Sequence, residues 1–315
     1  VSGVGAVAVG TRYAFSQQTH AQREGVFGTS AIVVLAACID LFLLSLFFMV
    51  RTDEMLRTPW VFPVSIGAFV LFGLSTATLL IGRHAPRIVF TPVLILHCFT
   101  AFGVALISFR YGFGYDPIIH QTAERYVFAH GRILPLQPYY IGQYAVVAAL
   151  SFLTSLPTDL VDRALVPLLA SISLPLLGLR GLVREYEFSA DRGRVVFLLV
   201  LLFPLSALTF TVPHNLTVLY LLWWLFLLPK IGISALPSAA IAIILLASLV
   251  THPLLGVPLA VTSIFLCIRN RWRRPIGIPA QVCFFLLCSV IPAASIVGMF
   301  ALVRLKAGLP AFEFT

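Results

Sequence analysis

The sequence predicts an all-α, polytopic transmembrane helix bundle of about nine spans, with interfacial helices in one long non-cytoplasmic loop. Three observations predict it. Hydrophobic residues make up 60% of the 315 and charged residues only 10%, against roughly 25% charged in a soluble domain. The apolar residues come in runs close to the length a membrane-crossing helix needs, and mean hydropathy is +1.01. The basic residues, which give a net charge of +9, are gathered in short clusters between those runs. Charge placed this way reads as a topology signal, with membrane-lipid contact as a second use, and not as a nucleic-acid surface.

In chain order the spans fall at 31–50, 61–82, 88–109, 160–180, 195–212, 215–229, 235–250, 254–268 and 280–303. The first two belong to an N-terminal segment, 1–87, and the others to a module covering 88–315. Proline-containing breaks at Val212-Pro213-His214-Asn215 and Thr251-His252-Pro253 divide what would otherwise be one long apolar block. The chain opens on Val1 and stops soon after an apolar run, as expected of a piece of a longer protein that lacks part of its C-terminal region. Its first nine residues are too short and uncharged for a signal peptide. The five cysteines sit in or beside apolar runs with no CxxC pair, so they read as small buried hydrophobes.

Orientation follows from arginine and lysine. Residues 180–194 hold four arginines and 269–274 four more, with Arg83, Arg87 and Lys230 at other span ends. All of these share the cytoplasmic side only if the apolar stretch 139–156 does not cross. That stretch then lies in the interface, a depth that suits Tyr139 and Tyr140 at its start. The loop 110–159 and the turns at 213–215 and 251–253 consequently face the non-cytoplasmic side together. His120, His130, His214 and His252 gather there with Asp116, the kind of convergence a site requires.

Within the loop, Asp116 is the expected N-cap and Pro117 the first residue of a helix that runs through Ala129 and stops at Gly131. Asp116, His120 and Glu124 recur at four-residue spacing, which puts them on one face, toward a cleft above the spans. Arg110, Arg125 and Arg132 flank the helix as headgroup anchors or as phosphate ligands, since guanidinium matches phosphate oxygens in a forked geometry. Asp40 lies inside the first span and is read as a helix-packing group, and His97 is expected to pair with a neighbouring Ser or Thr.

The order of these parts resembles that of a known family. A span ends near residue 109, and an Asp-bearing outer loop follows with its surface helix, Asp116 to Tyr126. Then come Pro138-Tyr139-Tyr140 and a span from Asp162 to the arginines at Arg180 and Arg184. Over about 88–303 the chain resembles the GT-C glycosyltransferases, multi-pass enzymes that include protein mannosyltransferases and aminoarabinose transferases. Pro117 stands where many relatives carry a second acidic residue.

The resemblance implies a hexosyl- or pentosyltransferase of the cell membrane. Its donor would be a sugar on a polyprenyl phosphate supplied from the bilayer, its acceptor is left open, and its site would face the non-cytoplasmic side. It implies Asp116 as base or as ligand of a divalent metal (Mg or Mn), with His120 as its catalytic neighbour. Glu124, Arg125, Arg132, Tyr139, His214 and His252 would then be substrate-binding. The rival expectation is a transporter or flippase of a lipid-linked or small polar substrate. That reading wants midplane charge and internal repeats, whereas only Asp40 and His97 lie near the midplane and no repeat is evident. A non-catalytic membrane scaffold is a third reading.

Overall fold

The computed structural model describes residues 27–53, 66–132, 140–201, 205–231 and 235–272. Among them the chain is helical throughout, with no strand. The helices are α1 (Phe27–Met49), α2 (Ile66–Ile81), α3 (Arg87–Phe102), α4 (Val104–Ser108), α5 (Asp116–His130) and α6 (Ile141–Thr154). They continue with α7 (Thr158–Arg184), α8 (Ala190–Val200), α9 (Pro213–Leu227), α10 (Ala235–Thr251) and α11 (Pro253–Trp272). Four are long and apolar enough to cross a membrane: Phe27–Met49, Ile66–His84, Thr158–Arg184 and Pro253–Asn270.

The expected span at 195–212 takes a different form. Helix α8 stops at Val200 after 11 residues, and a 3-10 turn follows at Ser206–Thr209. The expected span at 280–303 lies outside the described residues. Cys98 is buried, but Cys38 is exposed on α1 and Cys267 is half-buried, so burial does not extend to all the cysteines as composition suggested.

Contacts between element ends sort the bundle into two poles. At one pole Arg194 of α8 donates to the carbonyls of Arg83 and Ala85. His84 meets Asp191 there at 2.8 Å, and Tyr186, just beyond α7, donates to Leu225 O of α9 at 2.7 Å. At the other pole Thr52, just beyond α1, pairs with the backbone around Phe109. Arg163 of α7 donates to Arg110 O, and Thr211 accepts from Val166 N–H at 3.1 Å. The arginines of 83–87 and 180–194 thus lie at one pole and the start of α7 at the other. Helix α6 begins beside Asp162 of α7 and hands over to α7 through three residues, so it returns the chain to the pole where it started.

Backbone proximity fixes two seams. A Cβ on Gly181 of α7 would lie 2.8 Å from Phe226 O of α9, and one on Gly142 of α6 would lie 2.8 Å from Thr251 N of α10. Small residues at such places let helices approach where no water is present to drive them together.

Inside the bundle, α1, α2 and α3 are joined by a fully buried polar cluster. Asp40 lies 3.1 Å from His97 Nδ1, Ser75 Oγ is 3.2 Å from the same nitrogen, and Thr76 Oγ1 is 3.0 Å from Nε2. Phe72 stacks on the ring at 4.4 Å. Every polar atom of the imidazole therefore has a neighbour, as hydrocarbon surroundings demand. His97 finds its Ser and Thr, and the partner of Asp40 is His97 itself.

Removing one member strands the other. Asp40→Leu and His97→Leu should each destabilise the protein by about 3–5 kcal/mol. The double variant should recover part of that loss, because no charge is left alone. Thermal unfolding of the four proteins in one detergent checks this, and a double variant less stable than both singles would contradict it.

Candidate functional site

Helix α5 starts one residue earlier than its capping pair suggested. Tyr115 is the cap residue, without a side-chain cap bond, and Asp116 falls inside the first turn with Pro117 behind it. Pro117 fits there because N–H groups of the first turn have no helical partner. Gly131 closes the helix in the left-handed conformation, φ +64°, with its N–H on Val127 O at 2.8 Å.

The face carrying Asp116, His120 and Glu124 runs from solvent into the protein. Asp116 is exposed, His120 half-buried and Glu124 fully buried. At the inner end Glu124 meets Asp162, the fully buried acid of α7, as a hydrogen-bond neighbour. Gln143 Nε2 of α6 donates to Glu124 Oε1 at 2.8 Å and to Asp162 Oδ1 at 3.3 Å. Gln121 Nε2 donates to Asp162 Oδ2 at 2.9 Å.

Two carboxyl groups this close and this dry cannot both be ionised. Burial first, and the charge of Asp162 second, raise Glu124 from 4.5 to about 10. No donor reaches Glu124 Oε2. Burial favours the protonated form of Glu124. A hollow of about 10 Å³, room for about one water, lies beside the pair between Pro117, Asp162, Thr209 and Thr211. Asp116 is not among its lining residues.

At mid-helix a train of rings begins. His120 Nδ1 is 2.9 Å from Tyr144 Oη, and its ring meets that of Tyr140 edge-on at 5.2 Å. Tyr140 lies 5.8 Å from His252, and His252 lies 5.6 Å from His214. Three histidines from α5, the start of α9 and the α10–α11 junction therefore converge across more than 130 residues of chain. Burial lowers the proton affinity of both His120 and His252; Asp116 partly offsets this at His120, and His214 reinforces it at His252. Buried Nδ1 of His252 has no partner beyond its own backbone.

The remaining expected site residues are placed as follows. Arg125 forks onto Asp159 of α7, with Nε–Oδ1 at 2.6 Å and Nη2–Oδ2 at 2.5 Å, and so fastens α5 to α7. Arg132 is exposed just past the helix. Tyr139 lies outside the described residues. His130 folds back on Tyr126 at 4.3 Å, away from the other histidines. Asp116 makes no hydrogen bond with another described residue. Among the described residues no group of three His, Cys, Asp or Glu side chains is placed to hold a metal. The single exposed carboxylate of Asp116 does not fit a Mg or Mn site, and no step below is routed through one.

Sequence reasoning passed over Asp162, Gln121, Gln143 and Tyr144 as parts of the site. A detectable signal existed: Gln143 and Asp162 are polar residues in stretches otherwise rich in apolar ones. Compared with known proteins, the chain matches no family model, no curated protein and no solved structure.

The raised Glu124 has a pH signature. The folded protein keeps this proton up to about 10, whereas an unfolded chain releases it near 4.5. The contribution is therefore whole below 4.5 and declines as pH rises through that window. Melting temperature in detergent should fall from about pH 6 to about pH 9, and Glu124→Gln should flatten the fall. An unchanged slope in that variant would place the titration elsewhere.

Proposed function

We propose that this protein is an integral membrane glycosyltransferase, moving a sugar from a polyprenyl-phosphate donor to an acceptor at the non-cytoplasmic face. In this reading the chain crosses the membrane about nine times in a GT-C-like arrangement. The observation that carries it is the convergence of His120, His214 and His252 with Tyr140 and Tyr144 at the pole opposite the arginine clusters. Arginine-rich ends favour the cytoplasm, which gives the ring train the outer side.

The geometry favours His252 over Asp116 as proton acceptor. Burial lowers the proton affinity of His252, which stands among the rings of Tyr140 and His214, while Asp116 stands in solvent at the rim. The acceptor's hydroxyl oxygen attacks the anomeric carbon and its proton goes to His252. The bond from that carbon to the phosphate oxygen breaks, and its electron pair leaves with the polyprenyl phosphate. Arg132, exposed just past α5, is then the candidate to meet that phosphate, since Arg125 is held by Asp159.

A second reading, a proton-linked transporter or flippase, draws on the buried ionisable pairs Glu124–Asp162 and Asp40–His97, because such groups inside membrane proteins often carry protons.

Purified protein should release polyprenyl phosphate from one member of a panel of polyprenyl-phosphate hexoses and pentoses. His252→Ala should slow release by about 100-fold or more, within the usual range for loss of a general base. Asp116→Asn should slow it less. No release from any donor, with substrate uptake into proteoliposomes instead, would decide for the second reading. Full activity in His252→Ala alongside loss in Asp116→Asn would return the base to Asp116.

A further inference from the structure

At the arginine-bearing pole, the ends of three helices enclose a cavity of about 210 Å³. Its lining is Arg87 at the start of α3, Leu179, Arg180, Val183 and Arg184 at the end of α7, and Ala190 and Arg194 of α8. Four of these seven residues are arginines and none is acidic.

The four arginines do not have the same task. Arg194 is a structural post: its guanidinium is almost wholly buried, donates to Arg83 O and Ala85 O, and lies 4.5 Å above the Phe90 ring. One acid, Asp191, stands 3.8 Å from Arg194 but is bound by His84 at 2.8 Å and lies outside the lining. Arg87, Arg180 and Arg184 make no hydrogen bond or ion pair with any described residue. They are exposed, so they can reach a ligand that the buried Arg194 anchors from behind. The ordinary explanation, that arginines suit a helix C-terminus and a cytoplasmic surface, accounts for Arg180 and Arg184 on α7. It does not account for a walled cavity whose cations come from three separate helices with no carboxylate among them.

We propose that this cavity binds a phosphate-bearing anion. Forked guanidinium groups match phosphate oxygens, and four positive charges around one hollow call for a multiply acceptor anion. At about 210 Å³ the hollow has room for several waters, and so for a phosphate ester. Leu179 and Val183 give it an apolar side. The phosphate has two sources with the same chemistry, an anionic phospholipid headgroup or a soluble phosphate compound. The site lies at the opposite pole from the ring train and does not depend on the transferase reading.

The test uses the full chain purified in a neutral detergent. In one arm inorganic phosphate and pyrophosphate are titrated while binding and melting temperature are followed. In the other, nanodiscs of phosphatidylcholine with and without phosphatidylglycerol are compared, and retained lipid is read by native mass spectrometry. Saturable binding in the first arm assigns a soluble ligand, and selective retention of phosphatidylglycerol assigns a lipid one. In either case the Arg180→Gln/Arg184→Gln protein should bind at least tenfold more weakly. The Lys versions of both, which keep charge but lose the fork, should fall between. Arg269→Gln, a same-pole arginine outside the cavity, should bind as the parent does. If the double Gln protein does not fold, Arg87→Gln alone should still weaken binding. Equal loss in Arg269→Gln, or no saturable binding in either arm, would overturn the proposal.

Discussion

A charge in a dry helical bundle must find its compensation among neighbouring side chains, and Asp162 is where this protein meets that demand most fully. It sits near the start of the longest helix with no exposed surface. Its oxygens are met by Gln121 from α5 and Gln143 from α6, and Glu124, Asp159 and Arg163 lie near it. Asp162 thus ties α5 and α6 to α7, beside the Arg125–Asp159 fork that fastens α5 to the same helix. Were Asp162 apolar, two amide side chains and a carboxyl group would be left buried without their shared partner. The raised proton affinity of Glu124 follows first from burial and then from Asp162 beside it.

The two poles use polar chemistry in opposite ways. At the histidine pole, rings are brought within contact of one another, and burial lowers the proton affinity of His120 and His252. At the arginine pole, permanent cations are held apart around open space. The Asp40–His97 cluster belongs to neither. Its imidazole is surrounded by Asp40, Ser75, Thr76 and Phe72, with no exposed atom, so it acts as an internal fastening of α1 to α2 and α3.

Much of the bundle was legible because apolar run length and charge clusters are local properties. Helix α5 could be read to within a residue at its start and exactly at Gly131, because proline and glycine act through their own backbone limits. Less legible was which of the three residues on its face would be buried. A four-residue repeat gives a common face but not its tilt. Asp116 therefore drew attention as an acid beside proline, while Glu124, two turns on, proved to be the buried one. Asp162 and the two glutamines escaped notice because their meaning arises only from contact between α5, α6 and α7. Arg125 shows the same limit: a forked cation suits phosphate and carboxylate alike, and only folding reveals that Asp159 lies opposite. The break after Val200 was hidden because the residues beyond it are as apolar as those within the helix.

The Gly142–Thr251 seam affects how the ring train works. Helices α6 and α10 touch there backbone to backbone, one residue from His252 and two from both Tyr140 and Tyr144. The separation of the main chains that carry Tyr140 and His252 is consequently set at this seam, where the Thr251 backbone closes on Gly142 together with the Thr251 and Val250 side chains. Such an arrangement needs little reorganisation when a proton arrives. It also makes the seam a single point of geometric control, since one added methyl group would prise two elements apart and detune every ring-to-ring distance at once.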